Sequence, residues 1–182
     1  YRWWLADRLV ESAPAYLLSG SSLNSWWLRA LGAKVGKEVV IGSMTLRAPD
    51  LLSIGDNVSV GNAVNFENAR VERGRLLLGP IRIGDDCCIS SYAILEGNTS
   101  MGAFGHLEGQ SALADGATVP AGRVYTGSPA RDIGPFDAAA QPPRPAVSRL
   151  RLTGETVFFC FGMVLIAVLF FMPVFPSFVL ID

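Results

Sequence analysis

The sequence has one histidine, three cysteines and a formal net charge of −1 over 182 residues. Each scarcity closes off a class of function. Catalytic zinc wants three protein ligands, most often histidines. A lone His106 cannot supply them, even across a trimer, without a site on the symmetry axis. No metal is expected. Nucleic acid is not expected either, because phosphate binding needs a clustered basic surface, and basic residues gather only in the short run of Arg144, Arg149 and Arg151. Cys87 and Cys88 are neighbours, which in a strand point to opposite faces and make poor disulfide partners. Cys160 lies in an apolar stretch. With no paired framework, the chain reads as one from a reducing compartment.

Charge is also missing from one long run. No residue from Thr156 to Ile181 carries a charge, and as a helix that run would measure roughly 37 Å against a hydrocarbon core of ~30 Å. Pro173 and Pro176 would kink it, which membrane helices tolerate. The expectation is a C-terminal transmembrane helix over 156–181, after a Pro-rich linker over 132–155 that contains Gln141-Pro142-Pro143-Arg144-Pro145. Arginines precede the run and no basic residue follows it, so the positive-inside rule puts the preceding domain on the cytoplasmic side of an inner or plasma membrane. A buried helix of a soluble protein is the plainer alternative.

At the other end, residues 1–33 have helical spacing and many aromatics. Trp3, Trp4, Leu5, Leu9 and Val10 mix with Arg2, Asp7, Arg8 and Glu11. Pro14 and Ser19-Gly20-Ser21-Ser22 interrupt the pattern, and Trp26, Trp27, Leu28 and Leu31 resume it. Paired tryptophans beside arginines suit a membrane–water interface, so interfacial helices are expected here. A helix packed on the end of the next domain is the alternative. The opening on Tyr1 and the stop at Asp182, just past an apolar run, read as an excerpt of a longer chain, in which no signal peptide can be read.

Between these ends runs a six-residue repeat. Counting from Ile83, every sixth residue is apolar: Ile89, Leu95, Met101, Leu107, Leu113, Val119 and Tyr125. Four residues after each anchor comes a small one: Cys87, Ala93, Thr99, Gly105, Ser111, Ala117. Neither a helical period nor plain alternation produces this; a short internal repeat means a solenoid. Three six-residue faces make one triangular turn, with the anchor filling the prism and a small residue easing the corner. Gly84 and Gly102, just after their anchors, are expected to relieve the bend. Val35 and Ile41 begin a similar run upstream, and Ile54, Val60 and Phe66 form another. Ile41 to Ile54 is one residue too long and Phe66 to Ile83 one too short. Loops or bulges at Ala48-Pro49-Asp50 and at Glu67 to Arg75 are expected to absorb the slips. The fold class is therefore a left-handed parallel β-helix over 34–131.

The chemistry-bearing residues are few. His106 precedes anchor Leu107 and so points outward, with Cys88 one turn below and Val124 one turn above. An outward imidazole suits proton transfer near neutral pH, and Glu108, two positions on, is its nearest acidic partner in sequence. A solvated surface histidine is the alternative. Val119-Pro120-Ala121-Gly122 and Gly127-Ser128-Pro129-Ala130-Arg131 close the repeat; Pro and Gly end the coil whatever else they do.

These features resemble hexapeptide-repeat acyltransferases. That resemblance implies a histidine base acting on an acceptor hydroxyl or amine, and an acyl donor in a groove between the subunits of a homotrimer. It also implies coenzyme A contacts near Gly127, Ser128, Pro129 and Arg131. A more specific likeness lies in the order of motifs: Arg2-Trp3-Trp4-Leu5-Ala6-Asp7-Arg8-Leu9, then Leu28 to Gly36, Ala48-Pro49-Asp50-Leu51, Ser53-Ile54-Gly55-Asp56, Leu78-Gly79-Pro80-Ile81 and the closing Gly-Ser-Pro-Ala-Arg. Together they resemble the membrane-embedded C-terminal region of nonribosomal peptide synthetases of the ε-poly-lysine synthetase type. There, adenylation and carrier domains load an amino acid as a phosphopantetheine thioester, and the C-terminal region forms amide bonds. The resemblance implies a domain that assists amide formation or positions an aminoacyl thioester, with no cofactor of its own. A self-standing membrane-anchored acyl-CoA-dependent acyltransferase and a non-catalytic scaffold or carrier-docking module are the alternatives. The paired-histidine motif of ordinary condensation domains is absent.

Overall fold

The computed structural model describes residues 20, 22–137 and 149–171. The chain falls into two compact units, Tyr1–Pro142 and Pro143–Asp182.

The first unit is a triangular prism with three parallel sheets. One face stacks Lys34–Val35, Leu52–Ile54, Ile81–Ile83, Ser100–Met101 and Thr118–Val119. The second stacks Val40–Ile41, Ser59–Val60, Cys88–Ile89, His106–Leu107 and Arg123–Thr126. The third stacks Met44–Leu46, Val64–Glu67, Ile94–Glu96 and Ala112–Leu113. From Ile83 onward the register advances by eighteen residues per turn, as in Cys88 to His106 and His106 to Val124. The anchors Ile83, Ile89, Leu95, Met101, Leu107, Leu113 and Val119 are all buried, and Tyr125 packs against them at the open end. The small residues Cys87, Ala93, Thr99 and Ser111 are buried beside them. A narrow prism has room for one large side chain per face and little else.

The corners correct one expectation. The residue with positive φ is the third after each anchor, not the first: Asp86, Tyr92, Asn98, Phe104, Gln110, Gly116 and Gly122. Most of these are not glycine, and the left-handed conformation costs ~1–2 kcal/mol for an ordinary residue. It is offset by backbone bonding between turns, as when Tyr92 N–H donates to Asn62 O (2.9 Å) and Phe104 N–H to Asp85 O (2.9 Å). The glycines after the anchors serve close approach instead. A Cβ on Gly84 would lie 2.8 Å from the Ala103 backbone nitrogen, and one on Gly102 2.6 Å from that of Ala121.

The second register slip sits where the spacing places it, while the first is divided between the Gly42-Ser43 corner and the expected Ala48-Pro49-Asp50 stretch. Leu46, five residues after Ile41 rather than six, is the buried anchor that pairs with Phe66. The first turn therefore loses one residue at the Gly42-Ser43 corner and regains two around the 3-10 turn Pro49–Leu51. The second slip is a two-stranded antiparallel hairpin, Ala69–Glu72 with Arg75–Leu78, projecting from the prism. It lengthens that turn to twenty-nine residues, Ser59 to Cys88. Asn68 stitches the two insertions together. Buried to 1% exposure, it accepts from Ala48 N–H (3.1 Å), donates to Ala48 O (2.6 Å) and offers its own carbonyl to Gly79 N–H (3.0 Å).

Helix α1, Ser22–Ala30, closes the start of the prism. Leu28 joins the core, Ser25 Oγ donates to Val39 O (3.2 Å), and Arg29 donates to the carbonyls of Val35 (2.9 Å) and Gly36. Of the two readings of this segment, its described part is a helix packed on the next domain, with Trp26 left exposed. Residues 1–19 and 21 lie outside the described residues.

Two further differences concern the stretch expected to be linker. Arg131–Pro135 forms a strand that returns antiparallel on Arg123–Thr126. In the second unit, helix α2 runs over Arg149–Phe171, starting earlier than the expected 156. Among the described residues no helix is long and apolar enough to cross a membrane. The uncharged part of α2 within them, Thr156 to Phe171, spans roughly 24 Å, short of the ~30 Å core; residues 172–181 of the expected span and the Gln141 to Pro145 motif lie outside them.

Candidate functional site

His106 stands on the second face, and its position there follows from the repeat. Leu107 must point into the prism, so its neighbour points out, with Cys88 and Val124 as register partners on the adjacent turns. The imidazole is nevertheless not solvated. Its side chain is only 15% exposed. The returning strand carries Phe136 across it, with ring centroids 5.6 Å apart and planes inclined by 19°. Nδ1 is buried without a hydrogen-bond partner. Nε2 lies 3.4 Å from Glu108 Oε1, a long contact to a side chain that is itself about half exposed. The two expected site residues are thus brought together, loosely.

Besides its backbone pairing with Arg123–Thr126, the strand that leads to Phe136 is held at two points. Phe136 N–H donates to Gly122 O (2.8 Å). Arg123 makes a two-bond clip to Asp132, Nε to Oδ2 and Nη2 to Oδ1, both 2.8 Å. Asp132 Oδ1 also accepts from Gly134 N–H (2.9 Å). The hydrogen bond from Arg123 holds the Asp132 carboxyl below the usual carboxylate range and raises the arginine. The pairing slips between Val124 and Tyr125, beside the register partner of His106.

Gly127, Ser128, Pro129 and Arg131 form the reversal between these two strands rather than a simple end to the coil. Gly127 N–H donates to Ser111 Oγ (3.0 Å), its carbonyl accepts from Ala112 N–H (2.9 Å), and the Ser128–Pro129 peptide is cis. Arg131 pairs with Thr126, two residues along from the register partner of His106. Its side chain is exposed and makes no ion pair among the described residues, a suitable donor for a phosphate oxygen. The strand beyond the turn brings an aromatic ring, not a cation, to the histidine.

Phe136 is the residue that sequence reasoning missed. The stretch after Arg131 has no hexad, and its Gly-Pro content reads as linker. The available signal was the Arg123 and Asp132 pair flanking a Gly-Ser-Pro turn. Cys87 points inward, where burial pushes its thiol from 9.0 up to about 11 and its S–H donates to Gly102 O (3.1 Å). It is a packing residue.

Solved structures share this architecture. A hexapeptide-repeat-containing acetyltransferase of Vibrio cholerae O1 biovar eltor, complexed with acetyl coenzyme A, aligns with a TM-score of 0.55 at 19% identity, covering 68% of this chain and 84% of that one. A maltose O-acetyltransferase from Clostridium difficile 630 gives 0.56 at 19%, covering 74% and 84%. A galactoside acetyltransferase in complex with coenzyme A gives 0.54 at 16%, covering 81% and 85%. The fold is that of the hexapeptide-repeat acetyltransferases. At these identities the likeness concerns the fold alone.

Sequence similarity points to a different setting for this acetyltransferase fold. The chain is 45% identical over 183 residues to a delta-poly-L-ornithine synthetase of Acinetobacter baumannii (strain AB307-0294), across 100% of its own length and 14% of the relative. It is thus similar throughout to one segment of a much longer poly-amino-acid synthetase. No family model matches it.

Proposed function

We propose that this chain is an acyltransferase-like domain of a membrane-bound poly-amino-acid synthetase, where it positions an aminoacyl thioester for amide formation. The observation that carries this reading is the 45% identity, over the whole chain, to a synthetase segment, joined to a fold whose solved examples include complexes with coenzyme A or its acetyl ester. A carrier-domain phosphopantetheine thioester and acetyl coenzyme A present the same pantetheine thioester chemistry.

In this reading His106 is the base. The acceptor amine nitrogen attacks the thioester carbonyl and gives its proton to the imidazole. The C–N bond forms as the C–S bond breaks, and the carrier thiolate leaves and is reprotonated. Glu108 orients the imidazole and offsets its positive charge once protonated. Arg131 and the Gly127-Ser128-Pro129 turn hold the donor arm. Thr156 to Ile181, with Arg144, Arg149 and Arg151 before it, anchors the domain with the prism on the cytoplasmic side of the membrane, and adenylation and carrier domains of the parent chain are its partners. Exposed apolar side chains such as Phe158, Phe161 and Leu165 along α2 suit that anchoring. The synthetase setting ranks above a self-standing acyl-CoA-dependent acyltransferase assembled as a homotrimer.

One observation favours a second reading, a non-catalytic scaffold or carrier-docking module: the cover of Phe136 over the imidazole. The two are separated by product formation in the full synthetase, supplied with the loaded carrier, comparing wild type with His106→Ala. Loss of amide product with loading and fold intact supports the base. Unchanged turnover leaves the scaffold.

A further inference from the structure

The covered histidine presents a chemical contradiction. A base needs an unprotonated ring nitrogen that the acceptor can reach. Of the two nitrogens, Nε2 faces the Glu108 carboxylate at 3.4 Å, and a carboxylate can only accept. Nδ1 is buried with no partner. Buried N–H groups without an acceptor are rarer than buried acceptors without a donor, so the neutral ring places its proton on Nε2 and its lone pair on Nδ1. That assignment comes from the hydrogen-bond surroundings of the ring. The lone pair therefore lies on the buried nitrogen of a ring on which Phe136 stacks.

We propose that Phe136 gates His106. Stacked on the imidazole, its ring fixes the orientation in which Nε2–H faces Glu108 and the basic nitrogen stays buried. The acceptor reaches that nitrogen when the returning strand lifts. Among the described residues it is an edge strand beyond the last turn of the prism, paired with Arg123–Thr126 alone, and that pairing is irregular beside Val124. Its fastenings are the antiparallel pairing with Arg123–Thr126, the exposed Arg123–Asp132 clip and the Phe136 N–H bond to Gly122. The gate deepens the reading of His106 as base and rests on it. Phe136 is a positioning residue here, acting through the histidine.

The test uses the single histidine of the chain. The rate at which diethyl pyrocarbonate acylates His106 in the full chain is measured by mass, and the nitrogen-15 shifts of the imidazole report its tautomer. Phe136→Ala should raise the acylation rate about two- to tenfold, the worth of one aromatic pair, and should mix the tautomers. Phe136→Tyr should keep the wild-type rate and the Nε2–H form. Arg123→Gln, which leaves the ring in place, should raise the rate by a smaller factor and serves where the alanine variant does not fold. An unchanged rate in the folded alanine variant, or in Arg123→Gln if that is the folded one, overturns the gate. A wild-type ring already protonated on Nδ1 does so too. Product formation by His106→Ala tests the base separately. Unchanged turnover there, with the rates shifting as expected, removes the base reading while leaving the cover established.

Discussion

The two halves of the prism obey one rule under different conditions. After Ile83 every turn has eighteen residues, the anchors recur without a fault, and the strands bond to the adjacent turns. Before it, one corner is a residue short, a 3-10 turn adds two, and a hairpin projects between Phe66 and Ile81. The core runs through both without a break. A solenoid needs its inward anchors in register, not its chain length per turn. Extra residues are tolerated at corners when something replaces the lost backbone bonds, and in this protein that is Asn68.

The comparison can be broken most severely at an anchor. Leu107→Ala should cost about 2–5 kcal/mol, read from urea unfolding, and because each turn leans on its neighbours the loss should spread through the regular half. Asn68→Ala should cost less, about 1–3 kcal/mol, for leaving buried groups of Ala48 unpaired. Its signature is local: amide exchange should quicken in Pro49–Leu51 and the Ala69–Leu78 hairpin while the turns after Ile83 keep their protection. Equal exchange in both halves would mean that Asn68 is not the stitch.

Two glycines sharpen the contrast between crowding and backbone conformation. Gly84→Ala should destabilise by about 1–3 kcal/mol, because the new Cβ meets fixed backbone at 2.8 Å. Gly116→Ala should cost only ~1 kcal/mol, since its φ is +76° but the space around it is open. The order of the two melting temperatures is the test.

Two titrations should have the smallest effects. Cys87 titrates at about 11 in the fold against 9.0 as a free thiol. The unfolded chain therefore ionises first, and stability present below pH 9.0 should fall as the pH climbs toward 11. Cys87→Ala should flatten that part of the alkaline melting profile. Asp132 is shifted the other way by its bond from Arg123. Its contribution is present above the ordinary carboxylate range and disappears as the pH falls through its lowered value. Amide exchange in Arg131–Pro135 should then quicken in acid, and Asp132→Asn should remove that dependence.

Much of the prism was legible because its physics is local and periodic. One inward residue in six, with a small one four further on, repeats often enough to name both the fold and its faults. Leu46 was not legible, since its five-residue spacing from Ile41 is recognisable as an anchor only beside Phe66. The glycines after the anchors were read as bends, whereas their role depends on the turn above. At the site, the outward position of His106 and its neighbours Cys88 and Val124 follow from counting eighteens. Its burial does not.

By itself, then, the amino-acid order determined the six-residue period, the buried anchors, the placement of the two insertions and the face on which His106 stands. Each is a consequence of one inward anchor recurring on every six-residue face of the coil. The tertiary structure decided where the left-handed corners fall, how Asn68 joins insertions twenty residues apart, and that the chain after Arg131 turns back to lay Phe136 over the histidine. Those outcomes depend on which backbone groups are left unpaired after the coil has stacked, and no local pattern encodes that remainder.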